Sequence, residues 1–177
     1  MENSPFSRSR TAQLAAKCVI DAGSANGLLD SPVAVAPEFA GAEKELIVKI
    51  LAKLQEHLQN SGGTIHPDEI SSLFHFVFAK SAETVTNFAN HRPNDFALTG
   101  MLDGKIPVAA EELLTVDFKK SLFPRDAAQN FWDLLHSPDA PAPEEALLAF
   151  AEALKWCFRL GCHRAVEILE SNNYRFV

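Results

Sequence analysis

The sequence from residue 144 to residue 170, EEALLAFAEALKWCFRLGCHRAVEILE, contains the pattern that decides the fold. With successive residues about 100° apart around a helix, most of its charged side chains fall on one narrow stripe, and apolar side chains cover most of the remaining surface. The stripe consists of Glu145, Glu152, Lys155, Arg159, His163, Glu167 and Glu170. A helix on the surface of a globular protein has an apolar face only a little over about 100° wide. The pattern therefore predicts a long helix that other helices surround, inside a bundle or at a subunit contact.

The remaining sequence predicts an all-α protein. A length of 177 residues suits one domain, so we expect a single-domain helical bundle of about six helices over residues 1–177. The other helices are expected at about 8–25, 42–59, 67–90, 109–122 and 125–136, with those near 67–90 and 144–170 central in the bundle. Residues 26–40, 91–107 and 137–143 are expected to be connectors because of their prolines and glycines, and residues 1–7 a flexible N-terminus.

The connector at residues 91–107 is compatible with two local structures. Asn94 could cap a short helix that ends near Leu102, with Gly104 in a left-handed conformation. Asp103 and Gly104 could instead form the turn of a small hairpin. The short helix is the favoured interpretation.

Composition excludes several classes of partner. The net charge of −7 argues against a nucleic-acid backbone or an anionic membrane surface. No run of 18 residues is free of charge, so we expect no transmembrane helix. The three cysteines lie on segments that we predict to be helical, which favours free thiols in a reducing compartment. Because the first 13 residues also lack an apolar signal region, we expect a cytoplasmic protein.

The sequence contains no familiar catalytic or metal-binding motif. Glu-x-x-His pairs, His-Glu-x-x-His, the phosphate loop and the dinucleotide glycine motif are all missing. Cys157 and Cys162 lie about 140° apart on a helix and do not converge on one metal ion. Together with Gly161 and Ala165 they form a run of small residues, which predicts the close approach of another helix. Of the thiols, Cys162 has neighbours most suited to reactivity, but we predict no catalytic residue, no metal and no cofactor.

Two groups of residues are candidates for a ligand or partner surface. Three aromatic residues, Phe76, Trp132 and Trp156, lie off the main apolar faces of their predicted helices, and exposed aromatic patches often mark binding surfaces. The second group is polar and lies in the connector at residues 91–107, because loops on a rigid scaffold often carry binding residues. It consists of His91, Arg92, Asn94 and Asp95.

These features lead to two functional hypotheses. The first is a non-enzymatic protein-interaction module, such as an adaptor, an assembly or regulatory subunit, or a homo-oligomer. The alternative is a sensor or carrier that binds a small apolar molecule in a Phe-lined pocket between helices, because the chain contains 13 phenylalanines. The first hypothesis requires a protein partner or self-association, and the second requires unfilled space in the interior.

Overall fold

The computed structural model of the chain describes residues 5–25, 37–63, 65–90, 123–136 and 143–171. These residues are almost all helical, with short turns next to some of the helix ends and without a strand among them, so the predicted all-α class is confirmed. The helices are α1 (Pro5–Ala25), α2 (Pro37–Asn60), α3 (Pro67–Ala89), α4 (Phe123–Leu135) and α5 (Pro143–Ser171). The helix predicted at 109–122 and the choice between helix and hairpin at 91–107 lie outside the described residues.

Proline sets the start of most of these helices. Pro5, Pro37, Pro67 and Pro143 are the first residues of α1, α2, α3 and α5. Proline suits the first helical position because that residue has no intrahelical use for an N–H group and needs a φ near −65°. For this reason α2 begins earlier than predicted and includes residues 37–40, which were expected to belong to the connector. The same correction applies to residues 5–7, expected to be flexible and found in α1.

A glycine turn reverses the chain between α2 and α3. Gly62 and Gly63 have positive φ angles of 72° and 85°, which glycine adopts without steric cost. The backbone N–H of Gly63 donates to the carbonyl oxygen of Leu58 at 2.6 Å and closes the end of α2. At the start of α3, the backbone N–H of His66 donates to Oε1 of Glu69 at 3.0 Å. Hydrogen bonds from nearby residues therefore satisfy backbone groups at the end of α2 and at the start of α3.

The helices predicted to be central contact several others. α5 contacts α1, α2 and α3, and α3 contacts α2, α4 and α5. Phe74, Phe131 and Phe150 bring α3, α4 and α5 together in the core and are fully buried. Their rings meet edge to face, with centroids 5.8 Å apart for Phe74 and Phe131 and 4.7 Å apart for Phe131 and Phe150. This geometry is favourable for aromatic pairs, so these phenylalanines fill the interior.

The closest helix contact lies between α3 and α5 at Gly161. A Cβ atom on residue 161 would lie 1.6 Å from Oγ of Ser81 and 2.6 Å from the carbonyl oxygen of Phe78. Cys157, Cys162 and Gly161 are all buried at this part of α5. The prediction that this run of small residues receives a neighbouring helix is confirmed, and the neighbour is α3.

A helix that crosses a bilayer needs about 20 consecutive, predominantly apolar residues. Within the described ranges, none of the helices combines the length and hydrophobicity that crossing a membrane requires.

Candidate functional site

A pocket of about 510 Å³ lies where α2 and α4 end and α5 begins. Pockets that hold small molecules in proteins usually have volumes of roughly 300–1,000 Å³. We call this space the helix-end pocket. It is lined by Gln55, Leu58, Gln59, Gly62, Gly63, Ile65, Leu135, His136, Ala146 and Leu147. The pocket is therefore large enough for a small molecule, and three helices and one turn contribute to its wall.

The wall on the α2 side follows from helical spacing and from the glycine turn. Gln55, Leu58 and Gln59 are three and four residues apart, which places them on one face of α2. Gly62 and Gly63 then carry the chain around the end of this face without adding side chains that would fill the space. The result is a wall with aliphatic and carboxamide groups and an edge of bare backbone.

The pocket is apolar with a few neutral polar groups. Leu58, Ile65, Leu135 and Leu147 supply aliphatic surface, and none of the described lining residues is Lys, Arg, Asp or Glu. Gln55, Gln59 and His136 are the polar side chains among them. Such a wall favours an apolar body with a small number of hydrogen bonds, and it disfavours a buried charge because no ionised partner lies on the part of the wall that the structure describes.

His136 is held in place by Trp132, one turn earlier on α4. The two rings stack with centroids 4.0 Å apart and planes inclined by 20°. Nδ1 of His136 lies 2.9 Å from the carbonyl oxygen of Trp132. The structure therefore places Trp132, which the sequence marked as a candidate, behind a pocket residue rather than on the wall itself. Sequence reasoning missed His136, although the spacing of four residues between two stacking rings near a helix end was a usable signal.

Trp156 lies away from the pocket, in a polar cluster between α5 and α2. Its indole Nε1 donates to Oε2 of Glu152 at 3.1 Å. The guanidinium of Arg159 lies 5.0 Å from the centre of the Trp156 ring and donates to Oε2 of Glu43 at 3.1 Å. The polar atom of Trp156 and one part of its ring are therefore occupied by contacts within the chain.

The other candidate residues have two different outcomes. Phe76 is only 2% exposed, so its interpretation as a surface aromatic is corrected. The reason is that α3 is covered on more than one side, and Nζ of Lys80 also lies 5.7 Å from the centre of the Phe76 ring. The polar group of the connector lies outside the described residues. It consists of His91, Arg92, Asn94 and Asp95.

The cysteine thiols are poorly suited to nucleophilic chemistry. Burial raises the pKa of Cys157 well above its ordinary value. Burial, followed by the negative charge of Glu43, raises the pKa of Cys162, and burial is the main cause that raises the pKa of Cys18 to about 11. Because the thiolate is the reactive form, the suggestion that Cys162 is the reactive thiol is not supported by its surroundings. In the described part of the chain, no group of three or more His, Cys, Asp or Glu residues could hold a metal ion.

Comparison with protein-family models, curated protein sequences and solved structures finds no match for the chain. The chemistry of the helix-end pocket is therefore the basis for a functional proposal.

Proposed function

We propose that this chain is a binding protein, a sensor or carrier that holds a small apolar molecule in the helix-end pocket. The observation that carries the proposal is the pocket itself, about 510 Å³ of space beside a well-packed core. The pocket is a cleft at the surface, because half of its described lining residues are exposed. A ligand with an apolar body would remove the aliphatic wall of this cleft from water, which is favourable. The proposed pocket is lined by Leu, Ile and Ala in its described part, and not by Phe as the sequence suggested, because the buried phenylalanines fill the core instead.

The proposal is tested by blocking the pocket. Ala146 lines it, so Ala146→Phe places a ring in the space that the ligand would use. Ala40→Phe is the matched control, because Ala40 is exposed on α2 and does not line the pocket. We expect the full-length chain and the control to bind the neutral apolar dye Nile red with one site per chain, and Ala146→Phe to lose this fluorescence signal. Equal binding by the two variants, or no stoichiometric binding by the wild-type chain, would contradict the proposal.

Native mass spectrometry of the gently purified chain gives an independent test. A carrier is expected to retain bound molecules, seen as a discrete additional mass that disappears in Ala146→Phe. An additional mass that persists in Ala146→Phe would place the ligand elsewhere in the molecule.

A protein-interaction module remains the second proposal. It is supported by the exposure of Leu148, 47% exposed and directly after the pocket residue Leu147, and of Val48, 60% exposed on α2. Of these two residues, Leu148 is next in sequence to a residue of the helix-end pocket, and apolar surface that is contiguous with a concave site is a candidate contact for a partner. Size-exclusion chromatography with light scattering tests the self-associating form: a dimer or larger species is expected, and Leu148→Glu should shift it to monomer. A wild-type chain that is monomeric at every concentration tested would contradict self-association.

We also propose that the chain works in a reducing compartment such as the cytoplasm. Cys18, Cys157 and Cys162 are free, and Cys157 and Cys162 are buried in the core. Free buried thiols are typical of proteins from reducing compartments.

A further inference from the structure

Three polar side chains line the described part of the helix-end pocket, and they differ in the hydrogen-bonding groups that they can accept from a ligand. Gln55 and Gln59 each carry a carbonyl oxygen and an amide group, so they can bond to either a donor or an acceptor. A neutral imidazole is more selective, because one of its nitrogens donates and the other accepts. The hydrogen bond made by one nitrogen therefore fixes what the other can bind.

In His136 that bond is visible. Nδ1 lies 2.9 Å from the carbonyl oxygen of Trp132, and a carbonyl oxygen can only accept. Nδ1 therefore carries the proton, and Nε2 of the neutral ring is left as an acceptor. The stacking of the His136 ring on the Trp132 ring, with centroids 4.0 Å apart, restrains the imidazole in this orientation. Since His136 lines the pocket, a ligand that reaches Nε2 of the neutral ring meets a lone pair rather than an N–H group.

From this geometry we infer that the ligand of the helix-end pocket is an uncharged amphiphile, with an apolar body and a hydroxyl head that donates to Nε2 of His136. The inference rests on the proposed function and names its ligand class. The aliphatic side chains of Leu58, Ile65 and Leu147 receive the body. A carboxylate head would oppose the lone pair of Nε2, and an ammonium head would lose water without a carboxylate on the described wall to replace it.

Three probes with the same eight-carbon body test this inference: 1-octanol, octanoate and octylamine. Each is titrated into the full-length chain at pH 8, where imidazoles are predominantly neutral, and followed by amide chemical shifts. We expect 1-octanol to bind most tightly. His136→Phe should weaken 1-octanol binding roughly three- to ten-fold, the effect of losing one hydrogen bond, and should leave octanoate binding nearly unchanged, because a carboxylate has no proton to donate to Nε2. His163→Phe is the control, because His163 is a partly exposed histidine of α5 outside the pocket.

The possible outcomes separate this inference from the proposed function. Binding of all three probes without a preference, or tighter binding of a charged probe, overturns the head-group inference and leaves the apolar pocket standing. Failure of every probe to bind overturns both. A measurement on the wild-type chain is independent of any variant: nitrogen-15 NMR of the His136 ring should show a protonated Nδ1 and an unprotonated Nε2. The opposite tautomer would overturn the inference directly.

Discussion

At the contact between α3 and α5 the two helices leave no space for a single methyl group, whereas the ends of α2 and α4 and the start of α5 border a cleft of about 510 Å³ that is partly open to solvent. The first region, the packed region, includes Phe74, Ser81, Phe131, Phe150 and Gly161. The second is the helix-end pocket. Both regions are largely apolar, so hydrophobicity does not explain the difference. The packed region pairs small with large groups across the contact, while the pocket is bordered by a glycine turn and by helix ends that do not interdigitate.

The difference indicates where this chain has room for a ligand. Natural cores reach the packing density of organic crystals, and the packed region shows that this sequence is capable of such packing. The helix-end pocket is a cleft at the surface, where half of its described lining residues are exposed, so a ligand could enter it without disturbing the packed region.

The largest effect is expected for Phe131→Ala in the packed region. Phe131 is fully buried and contacts the rings of Phe74 and Phe150, so its removal leaves a cavity and should lower the free energy of unfolding by about 4 kcal/mol. Leu135 lies one turn later on α4 and lines the pocket. Because it already borders empty space, Leu135→Ala should cost only about 1 kcal/mol. Urea unfolding of both variants measures the contrast, and equal losses would show that the two regions are packed alike.

The next effect tests overpacking. Gly161→Ala places a methyl group against Ser81 and the Phe78 carbonyl oxygen, which should destabilise the fold by about 2–3 kcal/mol despite the better helix propensity of alanine. Gly41, in α2, has no atom within 4 Å of the position of an added Cβ. Gly41→Ala should therefore stabilise the fold by about 0.5–1 kcal/mol. Thermal unfolding of the pair should move in opposite directions, and a neutral Gly161→Ala would show that α3 and α5 are not in close contact.

The third prediction concerns the pH dependence of stability that follows from the burial of His75. Burial lowers the pKa of His75, on α3 next to Phe74, from 6.5 to about 4. The unfolded chain therefore takes up a proton before the folded chain does, so this contribution to stability is present above pH 6.5 and is lost as the pH falls toward 4. We expect the wild-type chain to lose about 2 kcal/mol more than His75→Gln over this window, a value below the full shift because the ring is half-buried. Parallel stability profiles for the two proteins would contradict a depressed pKa.

The packed region was largely predictable from sequence, because its determinants lie within single helices. The periodicity of residues 144–170 places Lys155, Arg159 and His163 on the half-exposed side of α5, as predicted. The small residues around Gly161 predicted the approach of another helix, and the structure confirms it. The exposure of Leu148 was not predicted, since periodicity shows which face is apolar but not how far the neighbouring helices extend along it.

The helix-end pocket could not be predicted, because its wall comes from positions that are distant in the sequence. Gln55 and Ile65 come from one hairpin, His136 from the end of α4, and Ala146 from the start of α5. No local pattern states that these positions meet or that a gap remains between them. The burial of Phe76 could not be predicted from local sequence either. Phe76 lies off the main apolar face of α3, and its burial depends on how the other helices pack around α3.

The smallest expected effect is also the sharpest contrast with Gly161→Ala. Ala146→Leu adds apolar atoms to the wall of the helix-end pocket, where space is available, so it should change the free energy of unfolding by no more than about 1 kcal/mol and in the stabilising direction. Two small-to-large substitutions on the same helix would then have opposite signs. If Ala146→Leu is instead as costly as Gly161→Ala, the space is already filled in solution. Extraction with organic solvent followed by mass spectrometry would then distinguish a retained ligand, which supports the proposed function, from filling by the chain itself, which removes its basis.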